Sequence, residues 1–223
     1  METMTIADRV HDVNRRIAAA CSRASRSLSE VTLIAVTKGV PPEAIREVVG
    51  AGVRHLGENR VQEGEEKREL LADLPLEVIW HMIGHLQSNK VKTAAGVFDI
   101  IHSVDSLHLA EAISRRALTT VPVFLEVNVA GEPSKYGFSL DELPHSYART
   151  SSLPNIEVRG LMTVAPQADS AEEARPVFRS LRQAANSLGL RYLSMGMSDD
   201  FEVAVEEGAT HIRIGRAIFG KRV

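Results

Sequence analysis

The sequence predicts an α/β fold, a single (β/α)8 TIM barrel preceded by an N-terminal helix. Short runs rich in β-branched residues alternate with longer amphipathic stretches along the chain. The 223 residues contain eight such units, which fits the lower end of the barrel's size range of roughly 200 to 400 residues. An open dinucleotide-binding sheet is the competing architecture. It is disfavoured because no G-x-G-x-x-G follows the first strand.

Local signals place each element in turn. A leading helix is predicted over 6–27 and the first strand over 31–37. Pro41 and Pro42 begin the next helix, which ends near Gly50. The later strands are predicted over 53–57, 78–84, 98–103, 121–129, 156–163, 191–195 and 211–214. The later helices are predicted over 60–72, 87–95, 107–117, 140–149, 171–188 and 200–207. Each helix is long enough to return the chain to a parallel strand.

Composition and charge restrict the classes of function. With 26 Lys+Arg against 29 Asp+Glu, the formal net charge is −3, which disfavours a nucleic-acid partner. Charges interrupt every apolar run before the ~20 residues that span a bilayer, so no membrane association is expected. A single cysteine, Cys21, excludes an intramolecular disulfide and a multi-cysteine metal cage. We therefore expect one cytoplasmic, monomeric domain over residues 1–223.

Residues capable of binding or chemistry recur where the predicted strands end, the face of a barrel at which active sites form. Lys38 has two interpretations, a solvated strand-end lysine or an amine for Schiff-base chemistry. His81 and His85 are four residues apart, but Gly84 lies between them and the segment reads as a strand end. Packing is therefore favoured over zinc, and no metal site is predicted. The charged run 63–69 is interpreted as a solvated helix face.

The loops after the seventh and eighth strands indicate an anion site. Ser198 is a predicted N-cap at the start of the helix over 200–207, whose first N–H groups are unpaired. Gly215 allows a ligand to approach the backbone closely. These two loops form the recurrent phosphate site of such barrels. Ordinary capping and turn chemistry is the alternative interpretation.

Seven ordered motifs carry a family resemblance. They are AVTK (35–38), GENRVQE (57–63), WHMIGHLQSNK (80–90), VNVAGEPSKYGF (127–138), GLMTVAP (160–166), LSMGMSDDFEVAV (193–205) and GATHIRIGRAIFGKR (208–222). Together they resemble the signature stretches of the pyridoxal phosphate homeostasis proteins. The resemblance implies a barrel that binds pyridoxal 5′-phosphate (PLP), of the alanine-racemase-like fold type III, without the second β-domain of the racemases.

The resemblance also implies roles for individual residues. Lys38 would form the internal aldimine with the cofactor, and Arg213 would face the pyridine nitrogen. An arginine stays protonated and can only donate there, so the ring would remain a weak electron sink. Strand alternation supports the placement of Arg213 toward the cofactor, since Arg213 and His211 share one face of the last strand. The other cofactor-binding candidates are Asn59, His81, Met162, Met197, Ser198, Gly215 and Arg216, and Lys135 is a candidate for cofactor transfer.

One position departs from the family pattern. Arg216 stands where the family usually has a small hydroxyl residue, most often threonine. A hydroxyl contact to phosphate is lost, while the backbone amide remains. The guanidinium then either binds the phosphate dianion or points outward to solvent.

The resemblance favours one of three functions. We expect a protein that takes up, buffers and delivers PLP to apo forms of PLP-dependent enzymes, rather than an enzyme. A low-efficiency amino-acid racemase is the alternative, but racemases take one acid/base tyrosine from their additional domain. The tyrosines here are Tyr136, Tyr147 and Tyr192, and the chain length has no room for such a domain. A Schiff-base aldolase acting on a sugar phosphate is the third function.

Overall fold

Eight parallel strands close into a barrel in the order in which they occur along the chain. The computed structural model describes residues 4–220. The strands are β1 (Thr32–Val36), β2 (His55–Glu58), β3 (Ile79–Met82), β4 (Ile100–Val104), β5 (Val121–Glu126), β6 (Ile156–Met162), β7 (Tyr192–Ser194) and β8 (His211–Ile214). Every predicted strand is present, and the predicted (β/α)8 fold is confirmed.

Helices surround the barrel and precede it. They are α1 (Ile6–Arg23), α2 (Pro42–Gly50), α3 (Val61–Leu70), α4 (Val91–Val97), α5 (Leu107–Arg116), α6 (Leu143–Ser151), α7 (Arg175–Ser187), α8 (Phe201–Glu206) and α9 (Arg216–Phe219). The short α9 was not predicted. No helix within residues 4–220 combines the length and apolar character needed to span a membrane.

Several helix boundaries differ from prediction for identifiable reasons. The leading helix ends at Arg23 rather than residue 27, because Ser25 adopts a positive φ of 54° and leaves the helical conformation. The predicted helix over 171–188 divides into a 3₁₀ turn and α7, and Pro176 occupies the first turn of α7. Proline lacks an N–H and is favoured in that first turn, so it marks where the α-helix begins.

Strand alternation separates two packing layers. The outward side chains of β8, Ile212 and Ile214, join the buried apolar cluster shared with the helices. The inward side chains, His211 and Arg213, are also buried, and His211 packs edge-on against Phe124 inside the barrel. The predicted shared face of His211 and Arg213 is therefore confirmed. Polar and aromatic side chains occupy much of the barrel interior, which positions the site above them.

Candidate functional site

A cavity of about 540 Å³ opens at the carboxyl ends of the strands. Its lining residues come from β1, β8 and the loops that follow several strands. They are Val36, Lys38, Asn59, Ile83, Val164, Met197, Ser198, Arg213, Gly215, Arg216 and Gly220. Seven of the nine predicted cofactor-binding residues are among them. Residues that are 180 positions apart in the sequence thus share one cavity wall.

The charged side chains that line the cavity are all basic. Lys38, Arg213 and Arg216 line it, and no carboxylate does within the part of the chain that the structure describes. Cationic side chains clustered in a cleft with low-dielectric walls raise the local concentration of anions. The arrangement therefore suits a small, multiply charged anion.

His81 and Met162 do not line the cavity. Their side chains are 0% and 1% exposed inside the barrel. Ile83 and Val164, each two residues further along the chain, line the cavity instead. Side chains at positions i and i+2 of a strand share a face, so both predicted residues have the right face but lie one layer too deep. A shift of two residues along each strand would have identified the lining residues.

Lys38 is half-buried, and a buried ionic cluster holds the backbone before it. The Lys67 ammonium donates to the Thr37 carbonyl at 2.6 Å, to Glu58 Oε1 at 2.7 Å and to Glu63 Oε1 at 2.6 Å. The Thr37 hydroxyl also donates to Glu58 Oε1, at 2.6 Å. These contacts fix the end of β1 and therefore the direction in which the following lysine leaves the strand.

The same cluster corrects the interpretation of residues 63–69 as a solvated helix face. Lys67 is only 7% exposed and lies under the barrel mouth. Glu63 also accepts a hydrogen bond from the Gly39 amide, so Glu63 and Lys67 together link Gly39 and Thr37, the residues on both sides of the site lysine. Burial raises the pKa of the Glu58 carboxyl, and the hydrogen bonds from Lys67 and Thr37 oppose that change. The alternation of charges along α3 gave no sign that one ammonium points inward.

Arg213 is held rigidly in the floor of the cavity. One guanidinium NH2 group donates to Ser194 Oγ at 2.6 Å, and the other donates to the Thr163 carbonyl at 2.8 Å. Burial lowers the Arg213 pKa to about 10, while Glu126 and Asp200 oppose this change. The guanidinium thus remains a cation at neutral pH and can act only as a donor.

Ser198 joins two elements rather than capping the helix that follows it. Asp200 occupies the N-cap position of α8, so the predicted N-cap role of Ser198 is wrong. Its hydroxyl accepts from the Ala217 amide at 3.2 Å, which ties the loop after β7 to the first turn of α9. The predicted pairing of the seventh and eighth loops is present. The unpredicted α9 explains the difference, because its unpaired N–H groups compete for the hydroxyl.

Arg216 lies at the rim of the cavity. Its guanidinium forms an ion pair with Asp199, and both side chains are exposed. Exposed ion pairs contribute little free energy, so this one can exchange for another anion at small cost. Neither predicted orientation describes it fully, because Arg216 lines the cavity and also reaches a surface carboxylate.

Asn59 carries an unsatisfied polar atom on the cavity wall. Its Oδ1 is buried without a hydrogen-bond partner among the described residues. The backbone beside it is tightly packed, since a Cβ atom at Gly84 would lie 2.4 Å from the Asn59 carbonyl oxygen. A buried acceptor without a partner is costly. Its position on the cavity wall makes this oxygen available to a donor on a bound ligand.

Lys135 does not line the cavity that contains Lys38. Its ammonium pairs with Glu132 Oε1 at 2.6 Å and donates to the Val164 carbonyl at 3.4 Å. It lines a neighbouring opening of about 200 Å³ together with Glu126 and Val164. Val164 lines both this opening and the cavity that contains Lys38, so one residue separates the Lys135 ammonium from that cavity.

Glu126, at the end of β5, is a functional candidate that sequence reasoning missed. Burial raises its pKa to about 7, the Asp105 charge adds to the rise, and Arg213 opposes it. A group whose pKa is higher in the folded than in the unfolded state adds stability at low pH and loses it as pH rises through the folded value. The sequence signal that could have identified Glu126 is its position at the end of a predicted strand, where binding residues of a barrel occur.

Glu126→Gln is expected to remove a pH dependence of stability. The wild-type contribution is complete below pH 4.5 and is lost as pH rises through about 7. We expect the wild-type free energy of unfolding to fall by about 2 kcal/mol more than that of the variant between pH 5 and 8. Urea unfolding at several pH values measures it, with the exposed Glu47→Gln as the matched control. Parallel curves for wild type and Glu126→Gln would contradict the assignment.

Comparison with protein families supports the resemblance. The family model "Alanine racemase, N-terminal domain" matches residues 14–223. The Aquifex aeolicus protein named pyridoxal phosphate homeostasis protein is 46% identical over 228 residues, covering 98% of this chain and 99% of that protein. The protein of the same name from Escherichia coli K12 is 40% identical over 227 residues, covering 97% of each. These relatives are named as homeostasis proteins rather than as enzymes.

Solved structures share the fold. PipY of Synechococcus elongatus PCC7942, solved with PLP bound, has a TM-score of 0.83 and 41% identity, covering 97% of this chain and 100% of that chain. Alanine racemase from Corynebacterium glutamicum has a TM-score of 0.71 at 18% identity, and the match covers 97% of this chain but 62% of the racemase. That second likeness shows the barrel alone. This chain belongs to the alanine racemase N-terminal domain family, and within it to the pyridoxal phosphate homeostasis proteins.

Proposed function

We propose that this chain binds PLP in the cavity at the barrel mouth and acts as a cytoplasmic, monomeric carrier that takes up, buffers and delivers the cofactor. The cationic lining, to which no carboxylate of residues 4–220 contributes, is the observation that carries the proposal. PLP bears a phosphate dianion, and bound PLP supplies an aldehyde that reacts with amines. Lys38 is a half-buried amine in this cavity. The names of the relatives and the PLP-bound PipY structure support the same ligand.

The residues present fit this ligand. Ser198, the Gly215 backbone and the Arg216 guanidinium would hold the phosphate, and Met197 would pack beside it. Arg213 would donate toward the ring nitrogen. Asn59 Oδ1, the buried acceptor without a partner, would gain one from a donor of the ligand. His81 and Met162 would pack beneath the side chains that line the cavity and hold them in position.

The cavity lining favours a carrier over a racemase. Racemisation needs an acid/base group on each side of the substrate's α-carbon. Among the lining residues within 4–220, the ionisable side chains are Lys38 and two arginines, and Arg213 keeps a pKa of about 10 despite its burial, so the arginines stay protonated and Lys38 is the one candidate acid/base group. Tyr136 lines the neighbouring opening rather than the cavity. A second acid/base group is thus missing from the lining.

Lys135→Ala tests the delivery function. We expect the variant to take up PLP normally but to transfer it to an apo-enzyme at least about tenfold more slowly, since a reactive group beside the site is lost. Restoration of activity in a PLP-dependent apo-enzyme mixed with the loaded carrier measures the rate. Lys92→Ala, an exposed lysine on α4, is the matched control.

Two outcomes would contradict the proposal. Transfer by Lys135→Ala at the wild-type rate would show that Lys135 has no role in delivery.

Incubation of the loaded protein with L-alanine in D2O gives the second test. Rapid α-deuterium incorporation with formation of D-alanine would show a racemase instead of a carrier.

A further inference from the structure

A continuous hydrogen-bonded chain of buried side chains runs through the barrel below the cavity. His55 Nδ1 lies 2.9 Å from His81 Nε2, and His81 Nδ1 lies 2.9 Å from His102 Nε2. His102 Nδ1 lies 2.8 Å from Ser194 Oγ, which accepts from Arg213 at 2.6 Å. The chain thus connects the half-buried start of β2 to the guanidinium in the cavity floor.

Burial favours the neutral form of all three histidines. Burial lowers the pKa of His55, and it lowers the pKa values of His81 and His102 well below the ordinary value. The groups that face them act in the same direction. The His211 ring lies 6.4 Å from His81 and 5.9 Å from His102, the Arg213 cation disfavours a further positive charge, and Phe124 stacks on His102 at 4.3 Å. A neutral imidazole has one donor and one acceptor nitrogen. Each ring therefore donates to one neighbour and accepts from the other, and all the hydrogen bonds of the chain point the same way.

Ser194 determines that direction. Its buried hydroxyl has one proton to donate and accepts from Arg213. Within residues 4–220 its other hydrogen-bond partner is His102 Nδ1. If His102 donated to the serine, the hydroxyl proton would be buried without an acceptor, which costs free energy. The serine therefore donates to His102, and each histidine carries its proton on Nε2. His102 donates its proton to His81, and His81 donates its proton to His55.

We propose that His102 and His81 are positioning residues for Arg213, through a one-directional chain of Nε2-protonated histidines. His102 accepts the Ser194 proton, so the lone pairs of Ser194 face Arg213 and hold its guanidinium. Arg213 has five N–H donors, and two contacts inside the protein fix its plane. Its remaining donors are then available to the cavity that Arg213 lines. The inference rests on the proposed function only for what Arg213 binds there.

Long-range ¹H–¹⁵N NMR of the imidazole rings tests the chain without any cofactor. We expect His55, His81 and His102 each to show a protonated Nε2 and an unprotonated Nδ1 at pH 7. A protonated Nδ1, or a doubly protonated ring, at any of the three would overturn the proposal. The readout needs no variant and no PLP, so its result stands even if the proposed function fails.

Two variants of His102 test the consequence for Arg213. A glutamine can accept from Ser194 and donate to His81, whereas a phenylalanine can do neither but still stacks on Phe124. We expect His102→Phe to weaken PLP binding roughly tenfold and to shift the Arg213 side-chain ¹⁵N resonances, and His102→Gln to stay within about twofold of wild type. Equal PLP affinities and unchanged Arg213 resonances in folded His102→Phe would overturn the positioning role. Should His102→Phe not fold, the tautomers of the wild-type rings still decide the proposal.

Discussion

Lys38→Ala is expected to abolish covalent labelling of the protein by PLP after borohydride reduction. Lys38 is the one lysine that lines the cavity among the described residues. Its removal takes away the amine that the ligand's aldehyde would meet. Phosphate contacts would remain, so binding should weaken but not disappear. Peptide mapping by mass spectrometry, together with loss of the visible absorption of the loaded protein, measures the effect.

Lys92→Ala, which removes an exposed lysine, serves as the control and should label as the wild type does. The half-buried Lys38 side chain makes no hydrogen bond to any other residue within 4–220, so the free energy of unfolding should change by less than about 1 kcal/mol. Persistent label on another lysine in Lys38→Ala would refute the role of Lys38. A wild-type protein without any PLP chromophore would instead revive the aldolase interpretation.

Lys67→Met is expected to lower the free energy of unfolding by about 3 to 5 kcal/mol, the cost of leaving a buried charge unpaired. The Lys67 ammonium is the cation paired with Glu58, which is fully buried and has its second oxygen without a hydrogen-bond partner among the described residues. Methionine replaces the aliphatic part of the lysine side chain but supplies no donor. Urea unfolding at pH 7 measures the loss, with Lys92→Met as the exposed control.

The double variant Glu58→Gln/Lys67→Met separates charge from packing. Neutralising the carboxyl removes the buried charge, so we expect at least about half of the lost stability to return. Lys38 follows Thr37, whose carbonyl also loses its donor. PLP binding should therefore weaken in both variants. A single variant within about 1 kcal/mol of wild type would show that the cluster does not stabilise the fold.

The fold and the general place of the site could be predicted because both depend on local patterns. Alternating strand and helix periodicities identified all eight strands. The loops after β7 and β8 meet beside Lys38, as expected for a barrel, and seven of nine candidate residues share the cavity. Their roles toward PLP stay predictions. The family is confirmed by relatives that match almost the whole chain.

The incorrect predictions concerned how deep a side chain lies in the barrel and which helix a side chain contacts. His81 and Met162 were placed at the cavity, but they lie one layer below it. Depth depends on the stagger between neighbouring strands, which the spacing within one strand does not reveal. Ser198 was placed on the wrong helix because α9 is too short to show a periodic pattern.

The sequence by itself determined the barrel, the family and the set of strand-end residues, because periodicity and motif order are properties of neighbouring residues. Only the tertiary structure decided that Lys67 is buried against Glu58, that burial raises the Glu126 pKa to about 7, and that three histidines from different strands form one chain. The histidine contacts join residues 26 and 21 positions apart, and the Lys67–Glu58 contact joins a helix to a strand end that the local pattern treats separately. Their burial and charge state follow from the closure of the barrel, which brings the inward faces of separate strands within hydrogen-bonding distance.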